Sequence, residues 1–331
     1  MDLQVKSYIM IYHKEENFMK AVNYSEGKVN LINAPKPTGE GVLIKINTCG
    51  ICGTDIHMLD SNGHFPHIAG HEMTGNLSDG TLVAIEPLKY CGRCEVCKSG
   101  DYNLCSAEEA DMIGLTSDGG MAEEIIVPEH SLVKLNQEMD PKISCLVEPI
   151  AVAVHGYVLT ETLSSHRVAV VGGGSIGQCA VFAAKAMGCE VDLYARYEHQ
   201  FEAAEMCGVK EPSGVYDRVV DCVGSADAIE KCIELLKPQG KIIGLAVAWD
   251  DIKIPGIPAV NKEASYYTSR CYGLGPNGRD IDIAAKMLFD FNELSSKIIT
   301  HRFPIDDAQE AFKTAADRKS GAIKVVLDIN I

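Results

Sequence analysis

With 331 residues, the chain is too long for one compact core and fits two domains of ordinary size. Hydrophobic residues make up 46% and charged residues 23%, a composition typical of a folded globular protein, which excludes a largely disordered chain. The net charge of −16 disfavours nucleic acid and anionic membrane surfaces as partners, so we expect a small-molecule partner.

The first 18 residues of the chain resemble a separate leader segment. Residues 1–18 precede a second plausible start, MKAVNYSEGKVNL, which opens at Met19, so we treat them as a possible N-terminal extension. No apolar run approaches the roughly 20 residues that cross a bilayer, and no basic stretch followed by a hydrophobic one opens the chain. The chain has 13 cysteines and no export signal, which predicts a cytoplasmic protein in reducing surroundings.

The rest of the chain shows two patterns of predicted secondary structure. From Met19 to about residue 135, short β-like segments such as VLIKINT and AEEIIVP are broken by Gly, Pro and Asn, which predicts a β-rich domain. From about residue 150, strands such as RVAVV alternate with helical stretches such as IGQCAVFAAKAMG, which predicts a parallel sheet covered by helices on both faces. From about residue 292 the sequence has no single strand or helix pattern, and it ends in the strand-like segment AIKVVLDI. The chain is therefore predicted to have an α/β fold.

Within the β-rich part, two fragments supply donors for a metal ion. CGICGTDIH (residues 49–57) and AGHE (residues 69–72) contain Cys52, His71 and Glu72. A thiolate, an imidazole and a carboxylate suit a catalytic zinc that keeps one position open. The alternative is a buried thiol beside a satisfied core histidine.

A cluster of cysteines follows. The run CGRCEVCKSGDYNLC contains Cys91, Cys94, Cys97 and Cys105. Three thiolates at steps of three and a fourth eight residues later can close around one ion, and a tetrahedral thiolate shell suits Zn²⁺. The alternative is ordinary thiols or disulfides. Because four thiolates leave no open position, a zinc ion here is structural.

A glycine-rich turn opens the α/β half. In VAVVGGGSIG, Gly172, Gly174 and Gly177 stand in G-x-G-x-x-G register between a strand and a helix. Gly172 permits a tight turn, Gly174 lets the backbone approach a pyrophosphate, and Gly177 allows close packing of helix on strand. We expect Ser175 and Ile176 in the same turn to contact the nucleotide. The alternative is a glycine turn without a ligand.

The end of the next strand, EVDLYARYEHQ, bears on the choice of nucleotide. We place the strand tip at Ala195, followed by Arg196, whose forked guanidinium suits a 2′-phosphate and favours NADP. The competing interpretation takes Asp192 as the acid that binds the ribose 2′-hydroxyl, which would favour NAD. Asp192 is predicted to lie inside the strand, too early for that role.

In this order, the motifs resemble the zinc-dependent medium-chain alcohol dehydrogenases, most closely the polyol and sorbitol dehydrogenase branch and its threonine dehydrogenase-like members. The resemblance covers nearly all of the chain from Met19 onwards. It implies a GroES-like β-rich catalytic domain at 1–150 and 292–331, and a Rossmann domain with a doubly wound parallel sheet at 151–291. It also implies two zinc ions per chain, a nicotinamide cofactor, an alcohol or ketone substrate, and a homodimer or homotetramer.

The resemblance assigns roles at the first zinc site. Cys52 and His71 match the thiolate and imidazole ligands, and Glu72 matches a glutamate that can ligate directly in the polyol branch. Glu148, in LVEPIAVAVHG, matches a glutamate that binds the zinc or its water. We expect only one of the two carboxylates to touch the metal at a time.

The resemblance also assigns the groups around the metal. Asp55 matches a carboxylate partner of the histidine ligand, which fixes its tautomer. Thr54 and His57 match a proton relay from the substrate hydroxyl to solvent. Cys49 does not match a ligand position of the family, and we expect its side chain to be a thiol packed in the core.

The implied reaction is hydride transfer between a secondary alcohol of polyol or sugar-alcohol type and the nicotinamide. The carboxylate-rich zinc site supports this class, since simple ethanol-type enzymes use two cysteines. Alternatives are oxidation of an amino alcohol, as in threonine dehydrogenase, a zinc-free quinone or enone reductase, and a non-catalytic nucleotide-binding relative. Two complete ligand sets count against the last two, because buried charged ligands are costly without a metal.

Overall fold

The computed structural model describes residues 17–61, 63–249 and 251–331. Of the possible leader at residues 1–18, only the last two residues fall within these ranges, so the prediction about it lies outside the described residues. Within these ranges, no helix combines the length and the apolar character that a bilayer crossing requires.

Strands and short helices alternate along the whole described chain. The strands are β1 (Phe18–Ser25), β2 (Lys28–Pro35), β3 (Val42–Gly50), β4 (His64–Phe65), β5 (Glu72–Asn76), β6 (Leu82–Ile85), β7 (Leu88–Lys89), β8 (Asp111–Met112), β9 (Glu124–Val127), β10 (Leu132–Lys134), β11 (Arg167–Val171), β12 (Glu190–Tyr194), β13 (Tyr216–Asp221), β14 (Leu236–Gly244), β15 (Ser265–Thr268), β16 (Leu274–Gly275), β17 (Gly278–Arg279), β18 (Ile299–Pro304) and β19 (Lys324–Asp328). The helices are α1 (Gly53–Asp60), α2 (Glu95–Ser99), α3 (Val147–Leu159), α4 (Ser175–Ala186), α5 (Glu198–Glu205), α6 (Ala226–Leu235), α7 (Gly256–Asn261), α8 (Asp280–Asp290) and α9 (Ala308–Ala316).

The N-terminal part and the C-terminal tail share one sheet of seven strands. Its order is β10-β6-β5-β3-β19-β18, and β9 also pairs with β3. The tail strand β19 runs antiparallel to β3, with Val326 opposite Gly50 and Leu327 opposite Cys49. The tail therefore delivers the start of β19 to the end of β3, where the first candidate metal site begins.

The α/β half contains a five-stranded parallel sheet in the order β12-β11-β13-β14-β15. Alternate residues of β11 face opposite sides: Val168 and Val170 pack with α3, α4 and α8, whereas Ala169 and Val171 pack with α6. Helices thus cover both faces, as predicted for a doubly wound sheet. Because β11 lies between β12 and β13, the chain changes direction there, and this switch point opens a crevice at the carboxyl ends of the strands.

Helix α3 connects the two parts of the fold. Its first turn contains Glu148, and its later residues pack against the parallel sheet in the large core cluster. The domain boundary predicted between residues 150 and 151 falls inside this helix. The boundaries at 150 and 291 stay predictions.

Candidate active site and metal centres

The four clustered cysteines converge on one point. The Sγ atom of Cys94 lies 3.4 Å from that of Cys97 and 3.8 Å from that of Cys105, and Cys91 Sγ lies 3.8 Å from Cys97 Sγ. Thiolates about 2.3 Å from a tetrahedral zinc would be about 3.8 Å apart, so the spacing fits that ion. No cysteine in the described part of the chain forms a disulfide.

Local backbone geometry shapes this group. Cys94 is the N-cap of α2, and Gly100 ends the helix with φ of 99°, a conformation that favours glycine. The backbone N–H groups of Arg93 and Cys94 point at Cys91 and lower its pKa to about 6. Cys91 therefore ionises readily, as a metal ligand must.

The cysteine lobe packs on the chain segment before α8. The backbone N–H of Leu274 donates to the Gly100 oxygen at 2.9 Å, and Asn103 Nδ2 donates to the Arg270 oxygen at 2.7 Å. The same segment contains Tyr272, a fully buried residue that interacts with Glu148. The lobe thus supports a segment that reaches the first candidate metal site.

At that first site, Cys52, His71 and Glu72 lie with one ligand atom each within 4.8 Å of one another. Cys52 lies two residues after the end of β3, and Glu72 is the first residue of β5, which pairs antiparallel with β3. Gly50 lies opposite Glu72, and a side chain at Gly50 would collide with the Glu72 carboxylate. Strand pairing therefore brings the two sequence fragments together.

Asp55 is hydrogen-bonded to the backbone of Cys52 and lies near His71. It is fully buried, and its carboxylate accepts from the Cys52 backbone N–H at 2.8 Å and from Tyr24 Oη at 3.0 Å. His71 Nδ1 lies 3.8 Å from Asp55 Oδ1 and has no hydrogen-bond partner among the described residues. Burial disfavours the imidazolium, but Asp55 and Cys52 outweigh it and raise the pKa of His71 well above its usual value.

Glu72 has a cationic partner that sequence reasoning missed. Lys324 Nζ donates to its two carboxylate oxygens at 2.7 and 2.6 Å and to the Ile51 oxygen at 3.1 Å. Lys324 is 1% exposed. A lysine within the apolar run AIKVVLDI was the available signal, since a buried ammonium group requires a partner.

Glu148 lies near this group but outside the set of three. Burial raises its pKa to about 7; Glu72 adds to the rise, whereas His71 and Lys324 oppose it. Two buried carboxylates that disfavour each other's charge, beside a thiol and an imidazole, form a donor set that a divalent cation would stabilise. The set fits Zn²⁺ with one open position.

The two predicted relay residues lie on α1. Thr54 is in its first turn, and His57 is exposed three residues later. The His57 ring lies against Trp249, with ring centroids 5.0 Å apart. Trp249 follows β14 of the parallel sheet, so two distant parts of the chain meet here.

The glycine turn has the form that a nucleotide requires. Gly172 has φ of +103°, Gly174 is the N-cap of α4 with open space where a Cβ would lie, and a Cβ at Gly177 would overlap the Gly172 oxygen. Ser175 Oγ is buried and has no hydrogen-bond partner in the described chain. Ile176 occupies the next position of the same helical turn. An open backbone and an unpartnered hydroxyl at a helix N-terminus suit a pyrophosphate.

Strand β12 ends at Tyr194, so Ala195 and Arg196 follow its tip. Asp192 lies inside the strand, where it accepts from Tyr216 Oη at 2.8 Å and from the Lys210 backbone N–H at 3.2 Å. Arg196 is exposed, with its guanidinium 5.8 Å from the centre of the Tyr197 ring.

Comparison with protein families places the two metal groups in a known context. The Alcohol dehydrogenase GroES-like domain family matches residues 38–137, and the Zinc-binding dehydrogenase family matches residues 193–327. The chain belongs to the zinc-containing medium-chain alcohol dehydrogenases. It is therefore an oxidoreductase that acts on CH–OH groups, and its α/β fold combines a GroES-like domain with a Rossmann-like parallel sheet.

Relatives of this dehydrogenase match most of its length. L-galactonate-5-dehydrogenase from Escherichia coli K12 is 27% identical, over 88% of this chain and 93% of the relative. Sorbitol dehydrogenase from Bacillus subtilis is 28% identical, over 96% and 99%. A protein described as a zinc-binding dehydrogenase from Sinorhizobium meliloti 1021, with NADP bound, has a TM-score of 0.83 and 27% identity, over 94% and 99%.

In this dehydrogenase, Cys49 is not a member of either metal-ligand group. The residue is fully buried, its Sγ lies 3.8 Å from the Gly50 oxygen, and burial raises its pKa well above the usual value. Cys49 is thus a packed thiol, as predicted.

Proposed function

We propose that this dehydrogenase transfers a hydride between a secondary alcohol of polyol or sugar-alcohol type and NADP. The observation that carries the substrate class is a carboxylate, Glu72, within ligand distance of Cys52 and His71, with Glu148 beside them. Relatives named for galactonate and sorbitol support the same class.

In this proposal Cys52, His71 and Glu72 hold the catalytic zinc, and the cysteine lobe holds the structural one. When bound, the catalytic zinc supplies a Lewis acid that polarises the alcohol oxygen and lowers the pKa of its hydroxyl. Asp55 orients His71 and favours its role as a ligand. Because Lys324 neutralises Glu72, Glu148 is the alternative carboxylate donor.

Thr54 and His57 move the proton. They stand three residues apart on α1, a spacing that places side chains on one face of a helix. Thr54 accepts the proton of the substrate hydroxyl as it gives up its own hydroxyl proton, and the exposed His57 takes up the released proton and passes it to solvent.

The preference for NADP rests on the tip of β12. Asp192 is engaged by Tyr216 and Lys210, which removes the one acidic candidate for the ribose hydroxyl. Arg196 is exposed directly after the tip, where its guanidinium suits a 2′-phosphate. The Gly172–Gly177 turn and its Ser175 hydroxyl would hold the pyrophosphate.

Turnover tests this proposal. Sugar alcohols, L-threonine and simple secondary alcohols should each be offered with NADP and with NAD to zinc-loaded enzyme, and the zinc content measured. We expect two zinc ions per chain and the highest kcat/KM for a polyol with NADP. Activity confined to L-threonine would replace the polyol assignment, and a preference for NAD would overturn the cofactor assignment.

We further propose a cytoplasmic homodimer, or a tetramer built from it, that associates through the β15 edge of the parallel sheet. Within the described part of the chain, strand β15 pairs only with β14, and α7 just before it has two exposed apolar side chains, Ile257 (77% exposed) and Val260 (74% exposed). Exposed apolar side chains beside an open strand edge are typical of an association surface. Light scattering should show a dimer or tetramer for the wild type and a monomer for Ile257→Glu. A monomeric wild type would contradict this proposal.

A further inference from the structure

The single tryptophan of the chain, Trp249, lies against His57. Their ring centroids are 5.0 Å apart and their planes are inclined by 31°. This is within the range of attractive aromatic pairs. Trp249 follows β14 of the parallel sheet, whereas His57 lies on α1, whose N-cap is Cys52. The contact therefore joins the nucleotide-binding sheet to the helix that begins at the metal site.

The loop that contains Trp249 is unusually apolar at its surface. Trp249 is 55% exposed and Val247 is 61% exposed, although large apolar side chains are usually buried. Both follow the carboxyl end of β14, on the side of the sheet where α/β folds bind their ligands. Exposed apolar side chains along such a crevice are typical of a ligand-binding surface.

Packing links this loop to the glycine turn. A Cβ added at Gly224 would touch Ala246 and Ala248 of the loop, and one added at Gly172 would touch Val223. Two successive contacts therefore connect the nucleotide turn to the loop of Trp249: the first is between Gly172 and Val223, and the second is between Gly224 and the alanines beside Trp249. A nucleotide that orders the turn is positioned to order the loop.

We propose that Trp249 is a positioning residue for His57, whose ring it holds through this tilted ring contact when the nucleotide occupies the crevice. This rests on the proposed function, since it takes His57 as the outer proton carrier. The contact covers part of one face of the imidazole and leaves both nitrogens at the ring edge free to exchange protons. A fixed ring loses its unproductive rotamers, so a larger share of encounters transfers the proton.

Fluorescence tests the contact without reference to activity, because Trp249 is the only tryptophan. Acrylamide quenching of the full-length enzyme should increase in His57→Ala, which uncovers one face of the indole. His67→Ala is the matched control, a histidine whose side chain is 41% exposed elsewhere on the surface, and should leave quenching unchanged. Adding NADP alone to the wild type should decrease quenching.

Kinetics test the positioning role. Trp249→Leu should lower kcat for alcohol oxidation by about 10-fold, part of what a positioned proton carrier contributes. We expect little change in KM for NADP, and Trp249→Phe should restore most of the loss. Phe291→Leu removes another aromatic side chain that is 38% exposed, and serves as the control for a general effect of losing a ring.

Three results would overturn the proposal in distinguishable ways. Unchanged quenching in His57→Ala would show that the ring contact does not form. Normal kcat in Trp249→Leu, with the contact present, would remove the positioning role and leave the proposed function intact. Absence of turnover by the wild type on the whole alcohol panel would remove the proposed function, and the positioning role with it.

Discussion

The ammonium group of Lys324 donates to both carboxylate oxygens of Glu72, at 2.7 and 2.6 Å, in a site where the two residues are 1% and 2% exposed. The partners are 252 residues apart in sequence. The pair neutralises a carboxylate that lies within ligand distance of Cys52 and His71. Lys324 thereby controls how much negative charge the metal site offers.

Lys324→Met should therefore destabilise the metal-free protein, because it leaves Glu72 buried and unpaired. Breaking a buried ion pair from one side costs about 3–5 kcal/mol. We expect a lower melting temperature without zinc and a larger gain in melting temperature when zinc is added. Lys324→Arg should keep the pair. Equal melting temperatures for Lys324→Met and the wild type in the metal-free state would contradict the role of the pair.

Cys52→Ser should remove one zinc ion per chain and reduce turnover by more than about 100-fold, a larger loss than removing a group that only supports a ligand. Cys49→Ala is the matched control, since it deletes a nearby buried thiol outside the ligand set. The control should keep both zinc ions and nearly full kcat. Zinc content by mass spectrometry and steady-state kinetics provide the readouts, and zinc loss in the control alone would reverse the assignment.

Cys94→Ser should also remove one zinc ion per chain, with a different consequence. Cys94 has two of the shortest Sγ contacts in the lobe, 3.4 Å to Cys97 and 3.8 Å to Cys105. Because metal binding stabilises the folded lobe, we expect a lower melting temperature. The fraction that stays folded should retain its KM for the alcohol. A raised KM with an unchanged melting temperature would place this zinc at the substrate instead.

We expect the protonation of Glu86 to make the stability of the protein depend on pH. It is fully buried; Arg279 Nη1 donates to its Oε2 at 2.9 Å, while Oε1 has no partner among the described residues. Burial raises its pKa from 4.5 to about 7, against the opposing effect of Arg279. The folded state thus binds this proton more tightly than the unfolded state.

The stabilisation from this proton is complete below pH 4.5 and is lost as the pH rises through about 7. Wild-type stability should therefore fall more steeply than that of Glu86→Gln between those two values. Thermal melts across the window give the comparison. Parallel curves for the two proteins would show that Glu86 does not titrate there.

Arg196→Asp should shift the nucleotide preference. Loss of one charge-assisted hydrogen bond to a 2′-phosphate costs about 1.5–3 kcal/mol, so the ratio of kcat/KM for NADP over NAD should fall by about 10- to 100-fold. Asp192→Asn is the matched control: it weakens the bond from Tyr216 and should lower stability but keep the ratio. If the ratio of kcat/KM for NADP over NAD changed in Asp192→Asn but not in Arg196→Asp, Asp192 would be favoured as the partner of the ribose hydroxyl.

Much of the site was predictable because its parts are local in sequence. Cys91, Cys94, Cys97 and Cys105 lie within one short run, so their spacing alone predicts that they can share an ion. Helix α6 shows the limit of such reasoning: the run DAIEKCIELLK (residues 227–237) has a helical pattern to its end, yet the helix ends at Leu235 and β14 begins at the next residue. There, pairing with the parallel sheet outweighed the local helical preference.

The sequence by itself determined the features whose geometry is set within a few residues: the thiolate lobe, the strand-turn-helix of Gly172–Gly177 and the alternation that builds a parallel sheet. Only the tertiary structure decided which distant side chains meet, above all Lys324 with Glu72 and Trp249 with His57. The reason is physical. Backbone dihedral angles limit the shapes of a short segment, whereas contacts between distant residues depend on how strands β3 and β19 pair and on how the sheets pack, which no local pattern encodes.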